Sequence, residues 1–386
     1  MEGLKTENLL FSLIKNEITE DCGLEKIEIS PKMQRELFVL SKKHDLAHLV
    51  FNSINKLNLS LQLEIEEAFK KQYFLAFYRY EQLIYEYRKI CETLNAEKIP
   101  FIPLKGAVIR DYYPEPWLRT SCDIDVLVKE QDLDRAIKAL VDNLGCRKEG
   151  DKNFHDVSLM FSSNVHLELH FNILENIKKI DYVLKDVWDY AYPIEQGGFE
   201  YRVENEFFIF HMLAHMSYHF VGGGCGIRPF IDLFILRNRF EIDQEKLTTL
   251  LEKGKILKFY NAACDLCEVW FGDKNHTELT LNMQEYLLTG GVYGNLNNKI
   301  AMNKAQGDSR GKYLFKRIFL PYNSMKTRYP ILKKHKWLLP FCHLHRWFER
   351  LFTGNAGKIK KEMQAYNSVS QEKNSAVEQL IKDLEI

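Results

Sequence analysis

Over residues 1–95 apolar side chains recur every three or four positions, in FSLIKNEI, KMQRELFVLSKKHDLAHLVFNSI and LEIEEAFKKQYFLAFYRYEQLIYEYRKICETLN. That period predicts helices. The last segment is long and carries a stripe of tyrosine and phenylalanine at helical spacing, the pattern of core packing. From residue 96 the period shortens. KIPFIPL reads as a short extended run, KGAVIRDYY as a short helix, EPWLRTS as loop and CDIDVLV as an alternating strand. EQDLDRAIKALVDNLG predicts a helix closed by Gly145, and FHDVSLMF and VHLELHF predict a hairpin turning at SSN. Helical periodicity returns after residue 180 and runs to about 290, where TGGVYGNLNN interrupts it. Within that stretch VGGGCG reads as a mobile connection between two helices. The final thirty residues are polar and read as a frayed helix or a disordered tail.

With 386 residues, 46% of them hydrophobic, the chain can bury cores for two or three domains. No uninterrupted apolar run is long enough for a membrane span. The polar, mixed-charge N-terminus argues against a signal peptide, and eight cysteines without a framework suit the reduced thiols of a cytoplasmic protein. Cys264 and Cys267 form a lone CxxC on a helical pattern, which reads as core rather than as a zinc site. Formal net charge is zero, yet Lys304–Lys361 holds fifteen Lys or Arg against Asp308 and Glu349, a local excess of +13. Such an excess suits a phosphate-rich partner or an anionic membrane surface, or simply a solvated basic face.

Two carboxylates inside the apolar CDIDVLV run carry the candidate chemistry. Alternation puts Asp123 and Asp125 on one face, with Cys122, Ile124 and Val126 packing on the other. Burying both carboxylates ionised is costly unless a cation sits between them, and a divalent metal does that. Upstream, Lys105 and Gly106 join an extended segment to a helix, an arrangement that can approach phosphate oxygens. Arg119 and Ser121, just before the pair, suit either a polyphosphate or the structuring of their loop. On VHLELHF, His166, Glu168 and His170 share a face. Glu168 suits a third metal ligand or a base, while solvent exposure is the expectation for the two histidines.

The segment FIPLKGAVIRDYYPEPWLRTSCDIDVLV, with a later strand ending in ELH and a helix bearing His211, His215 and His219, resembles a family of uncharacterised bacterial nucleotidyltransferases of the DNA polymerase beta-like superfamily. The likeness spans roughly residues 75 to 350. It implies an α+β fold: a small mixed-sheet nucleotidyltransferase domain embedded in mainly α-helical N- and C-terminal regions. The expected division is a helical N-terminal region at 1–75 and the nucleotidyltransferase α/β domain at 76–195. A helical domain completing the cleft follows at 196–300, then a basic helical C-terminal region with a polar tail at 301–386. The resemblance assigns Asp123, Asp125 and Glu168 to catalysis and to Mg²⁺ or Mn²⁺, and Lys105, Gly106 and Arg119 to the nucleotide, with Ser121 beside them as a further candidate nucleotide contact. His170, His211, His215, Arg228 and Asp232 fall to a candidate acceptor pocket. The implied reaction moves an NMP from an NTP to a hydroxyl or phosphate acceptor, a small molecule, protein or RNA, and releases pyrophosphate. One departure stands out: the superfamily's Gly-Gly or Gly-Ser is Lys105-Gly106 here, and Ala107 follows without a hydroxyl. Three alternatives stay open: a toxin-type transferase acting on tRNA, a DxD glycosyltransferase, and a degenerate nucleotide-binding module.

Overall fold

The computed structural model describes residues 5–19, 28–150, 152–307, 311, 315, 318–352, 365–366 and 370–386. Four helices come first: α1 (Thr6–Thr19), α2 (Pro31–Lys43), α3 (Ala47–Lys56) and α4 (Leu63–Ala96). Ser30 caps α2 by accepting from Met33 N–H, and Pro31 opens the helix where no N–H is needed. The 34 residues of α4 contain neither glycine nor proline. Its buried side chains Leu83, Ile90 and Leu94 pack on the sheet that follows.

That sheet has the order β1-β2-β5-β4-β3. Its strands are β1 (Phe101–Pro103), β2 (Asp123–Val128), β3 (Arg147–Glu149), β4 (Asp156–Met160) and β5 (His166–His170). A four-residue helix, α5 (Gly106–Ile109), leaves β1, and α6 (Leu133–Leu144) leaves β2. Gly145 ends α6 at φ 65, the left-handed conformation expected of it. β1 pairs antiparallel with β2, β4 antiparallel with β5, and β2 parallel with β5. β3 is short, polar and exposed, so no hydrophobic alternation marks it in the sequence.

The parallel pairing is the feature that builds the site. It sets Asp123 opposite His166, Asp125 opposite Glu168 and Leu127 opposite His170. One face of the two strands carries Ile124, Val126, Val128, Leu167 and Leu169, all buried against α4 and α6. The other carries the acids and histidines. Cys122 departs from expectation. It precedes the strand, is exposed, and has its Sγ 3.4 Å from the Tyr293 hydroxyl instead of packing beside Ile124.

Past β5 come α7 (Lys178–Leu184), a small hairpin of β6 (Ala191–Pro193) and β7 (Tyr201–Val203), and then α8 (Asn205–Val221), α9 (Arg228–Arg239), α10 (Gln244–Gly254), α11 (Leu257–Phe271), α12 (Glu278–Gly290) and α13 (Leu296–Ala305). These helices and α1–α3 share one large core, which includes Cys264 and Cys267 as packed side chains. The α8–α9 connection is not a loose one. Gly223 and Gly224 lie against the backbone of Asn295 and Gly294, and Gly226 against Val292. Two glycine-rich segments some seventy residues apart therefore brace each other.

In the tail, of the two readings the helix holds, and it is packed rather than frayed. Gln371–Leu384 is a helix that buries Val377, Leu380 and Leu384 in the main core. In the basic region, Tyr322–Arg328 and Leu339–Phe352 are helices, and Pro340 sits in the first turn of the second, where no N–H is needed. Arg310, Lys312, Lys316, Arg317, Lys358, Lys360 and Lys361 of the basic excess lie outside the described residues. No helix among the described residues is long and apolar enough to cross a membrane.

Candidate active site

The acidic face of β2 and β5 opens into a cavity of about 460 Å³. Its walls hold Lys105, Gly106, Arg119, Ser121, Asp123, Asp125, Glu168 and His170 from the sheet side, and His211, His215, Arg228 and Asp232 from α8 and α9. Every residue that the sequence singled out as catalytic, nucleotide-binding or acceptor-facing thus borders one space. His44, Cys122, His155, Glu175, His219 and Tyr293 border it too.

Asp123, His166 and Glu168 place ligand atoms within 4.8 Å of one another, and so do Asp125, Glu168 and His170. Glu168 belongs to both sets, as its register position between the two histidines requires. Burial, reinforced by the Asp125 and Glu168 carboxylates, pushes the Asp123 carboxyl up to about 6. Asp125 goes the other way. Burial would raise it, but Lys105 and the hydrogen bond from His170 hold it well below the usual carboxylate range.

Lys105 Nζ stands 3.4 Å from Asp125 Oδ1, and His170 Nε2 stands 3.0 Å from the same oxygen and 3.5 Å from Glu168 Oε2. His170 is buried rather than solvent-exposed, so the expectation for that histidine fails. Burial disfavours its charge, yet the bonds to Asp125 and Glu168 win and push it up to about 9. Lys105 is likewise raised: burial opposes its charge, but Asp125, Glu175, Glu168 and Asp123 overcome that. Its backbone takes φ 41, ψ −113, a conformation that costs a non-glycine residue roughly 1–3 kcal/mol. The Leu104 N–H bond to the Asp125 carbonyl, 3.0 Å, ties this turn to β2.

Arg119 serves its loop. Its Nε and Nη2 donate to both carboxylate oxygens of Asp232, at 3.1 and 2.8 Å, and Tyr113 donates to the same carboxylate at 2.7 Å. Asp232 is 2% exposed, so this bidentate pair is a buried brace between the pre-β2 loop and α9. Arg228 pairs with Asp45 at 2.5 Å, and Thr120 donates to that same aspartate at 2.8 Å. Arg110 donates to the Gly106 carbonyl at 2.7 Å and to Ser121 Oγ at 3.1 Å.

A family model described as "Uncharacterised nucleotidyltransferase" matches residues 30–272. The chain belongs to that family. The matched segment of this nucleotidyltransferase family runs from α2 through α11 and contains both acidic strands and the histidines of α8. Comparison with curated proteins and with solved structures yields no match.

Asp45, His155 and Glu175 escaped the sequence reading, and Tyr113, inside the segment that carries the resemblance, has no role assigned there. Asp45 and Tyr113 act on partners 183 and 119 positions away, which no local spacing encodes. Glu175 follows the strand whose ELH drew attention, and its partner His215 lies 40 residues on.

Proposed function

We propose that the protein transfers a nucleoside monophosphate from an NTP to an acceptor and releases pyrophosphate, with Asp123, Asp125 and Glu168 as the catalytic carboxylates. The observation that carries this reading is the parallel β2–β5 register, which gathers three carboxylates on one face at the floor of a cavity. The donor set suits a hard divalent cation, Mg²⁺ or Mn²⁺. Asp123 and Asp125 repel each other strongly enough to raise one of them, and Glu168 reaches the ligand atoms of both. When bound, such an ion offsets charge on phosphate oxygens. The chain's own residues supply the rest. Lys105 directs its ammonium at Asp125 from the turn that leads into α5, where a triphosphate would add further anionic partners. Gly106 lies beside Arg119 and Ser121, and a Cβ there would come within 3.4 Å of both. Ser121 thereby offers, from a different loop, the hydroxyl that Ala107 lacks. Arg119, committed to Asp232, holds that loop in place.

The test is pyrophosphate release from each of the four NTPs, with glycerol and bulk tRNA as acceptor probes. Wild type is expected to be active with Mg²⁺ and inactive with excess chelator, and Asp123→Asn or Glu168→Gln to lose about 100-fold or more. Release that survives both chelation and substitution would refute the reading. NTP binding without release would point instead to the degenerate module.

A further inference from the structure

A second group of ionisable side chains borders the same cavity, and the carboxylate chemistry leaves it unused. His215, on α8, has its Nδ1 2.8 Å from Glu175 Oε1. A carboxylate only accepts, so Nδ1 carries the ring proton and Nε2 keeps its lone pair. Glu175 is itself fixed: it is 8% exposed, and its backbone N–H donates to Asp181 Oδ1 at 2.8 Å. The His215 side chain keeps a third of its surface open, and the residue lines the cavity. His219 packs edge-on to it, ring centroids 4.4 Å apart. Among the described residues, the sets of three ligand atoms that converge lie on the sheet, and neither includes His215 or Glu175. Burial, helped by Lys105 and His219, keeps the His215 ring well below the usual histidine range and hence neutral. An oriented, neutral imidazole backed by a carboxylate and open to a substrate cavity is the arrangement of a general base.

We infer that His215, oriented by Glu175, is the base that deprotonates the acceptor, and that the acceptor group is therefore a hydroxyl rather than a phosphate. The inference rests on the transferase reading above. The acceptor O–H bond breaks and its proton passes to His215 Nε2. The freed oxygen forms a bond to the α-phosphorus, and the bond from that phosphorus to the bridging oxygen breaks, its electron pair leaving with pyrophosphate. His215 then returns the proton to water. Glu168 is the poorer base because it is a shared member of both ligand sets and accepts from His170. Glu175 never touches the acceptor and acts as a positioning residue.

Full-length His215→Gln, His215→Ala and Glu175→Gln separate this from a structural role. Calorimetric affinity for Mg²⁺–NTP should stay within about threefold of wild type in all three, while pyrophosphate release with glycerol or tRNA falls about 100-fold in His215→Gln and about tenfold in Glu175→Gln. Added imidazole should restore part of the release in His215→Ala and none in Asp123→Asn. Release in His215→Gln within about threefold of wild type would overturn the inference and leave the transferase reading intact. Affinity and release that fall together, with no imidazole rescue, would overturn it as well. A wild type that binds NTP and releases no pyrophosphate would defeat the transferase reading, and the base with it.

Discussion

Asp232 accepts two bonds from Arg119 and one from Tyr113 while almost wholly out of water, so those donors replace the hydration it loses. Removing one partner of a buried pair strands the other and typically costs about 3–5 kcal/mol, whereas replacing both by apolar residues costs far less. Arg119→Leu is therefore expected to lower unfolding free energy by about 3–5 kcal/mol in urea titrations, and Arg119→Leu/Asp232→Leu to recover most of it. A loss below about 1 kcal/mol in the single variant would mean that the pair is open in solution. At this scale the sequence showed the carboxylates well, because alternation along a strand is local. It left Arg119 open between phosphate and loop, since its partner lies 113 residues away on α9. His170 was misjudged for a similar reason: the face of a strand can be counted from sequence, but what covers it cannot.

The braced glycine segments show the same limit one level up. A Cβ on Gly294, at φ +71, would fall on the backbone of Gly223, and both segments border the cavity through Arg228 and Tyr293. Gly294→Ala combines a left-handed conformation with a backbone clash, so a loss of at least about 2 kcal/mol in thermal unfolding is expected. Gly307→Ala, at φ +82 with nothing within 4 Å among the described residues, serves as control and should cost only about 1 kcal/mol. Equal losses would contradict the bracing. Helices α1, α4, α6 and α8 and strands β2, β4 and β5 were legible because each repeats its apolar period long enough to count. By contrast, KMQRELFVLSKKHDLAHLVFNSI reads as one segment and folds as two helices, α2 and α3, parted at Asp45 with φ 55. β3, β6 and β7 are three residues each, too short for a period. The last helix, Gln371–Leu384, buries only a narrow apolar stripe in an otherwise polar segment, so the sequence leaves helix and disorder both open there.

For the whole molecule, the small sheet supplies the acids and the helical mass supplies the opposing wall, so the cavity exists only where the two meet. Sequence could list the residues of both walls but not their closure on one another, because the walls are joined by pairs such as Arg119–Asp232, 113 residues apart. The central claim is that Asp123 and Asp125 form a metal clamp for a nucleotide. Calorimetric titration of ATP, GTP, CTP and UTP with Mg²⁺ into wild type and Asp123→Asn/Asp125→Asn tests it most directly. The account predicts metal-dependent binding of at least one nucleotide by wild type, weakened at least about tenfold in a double variant that still folds. Binding of equal strength in both proteins, or no binding by wild type, would contradict it.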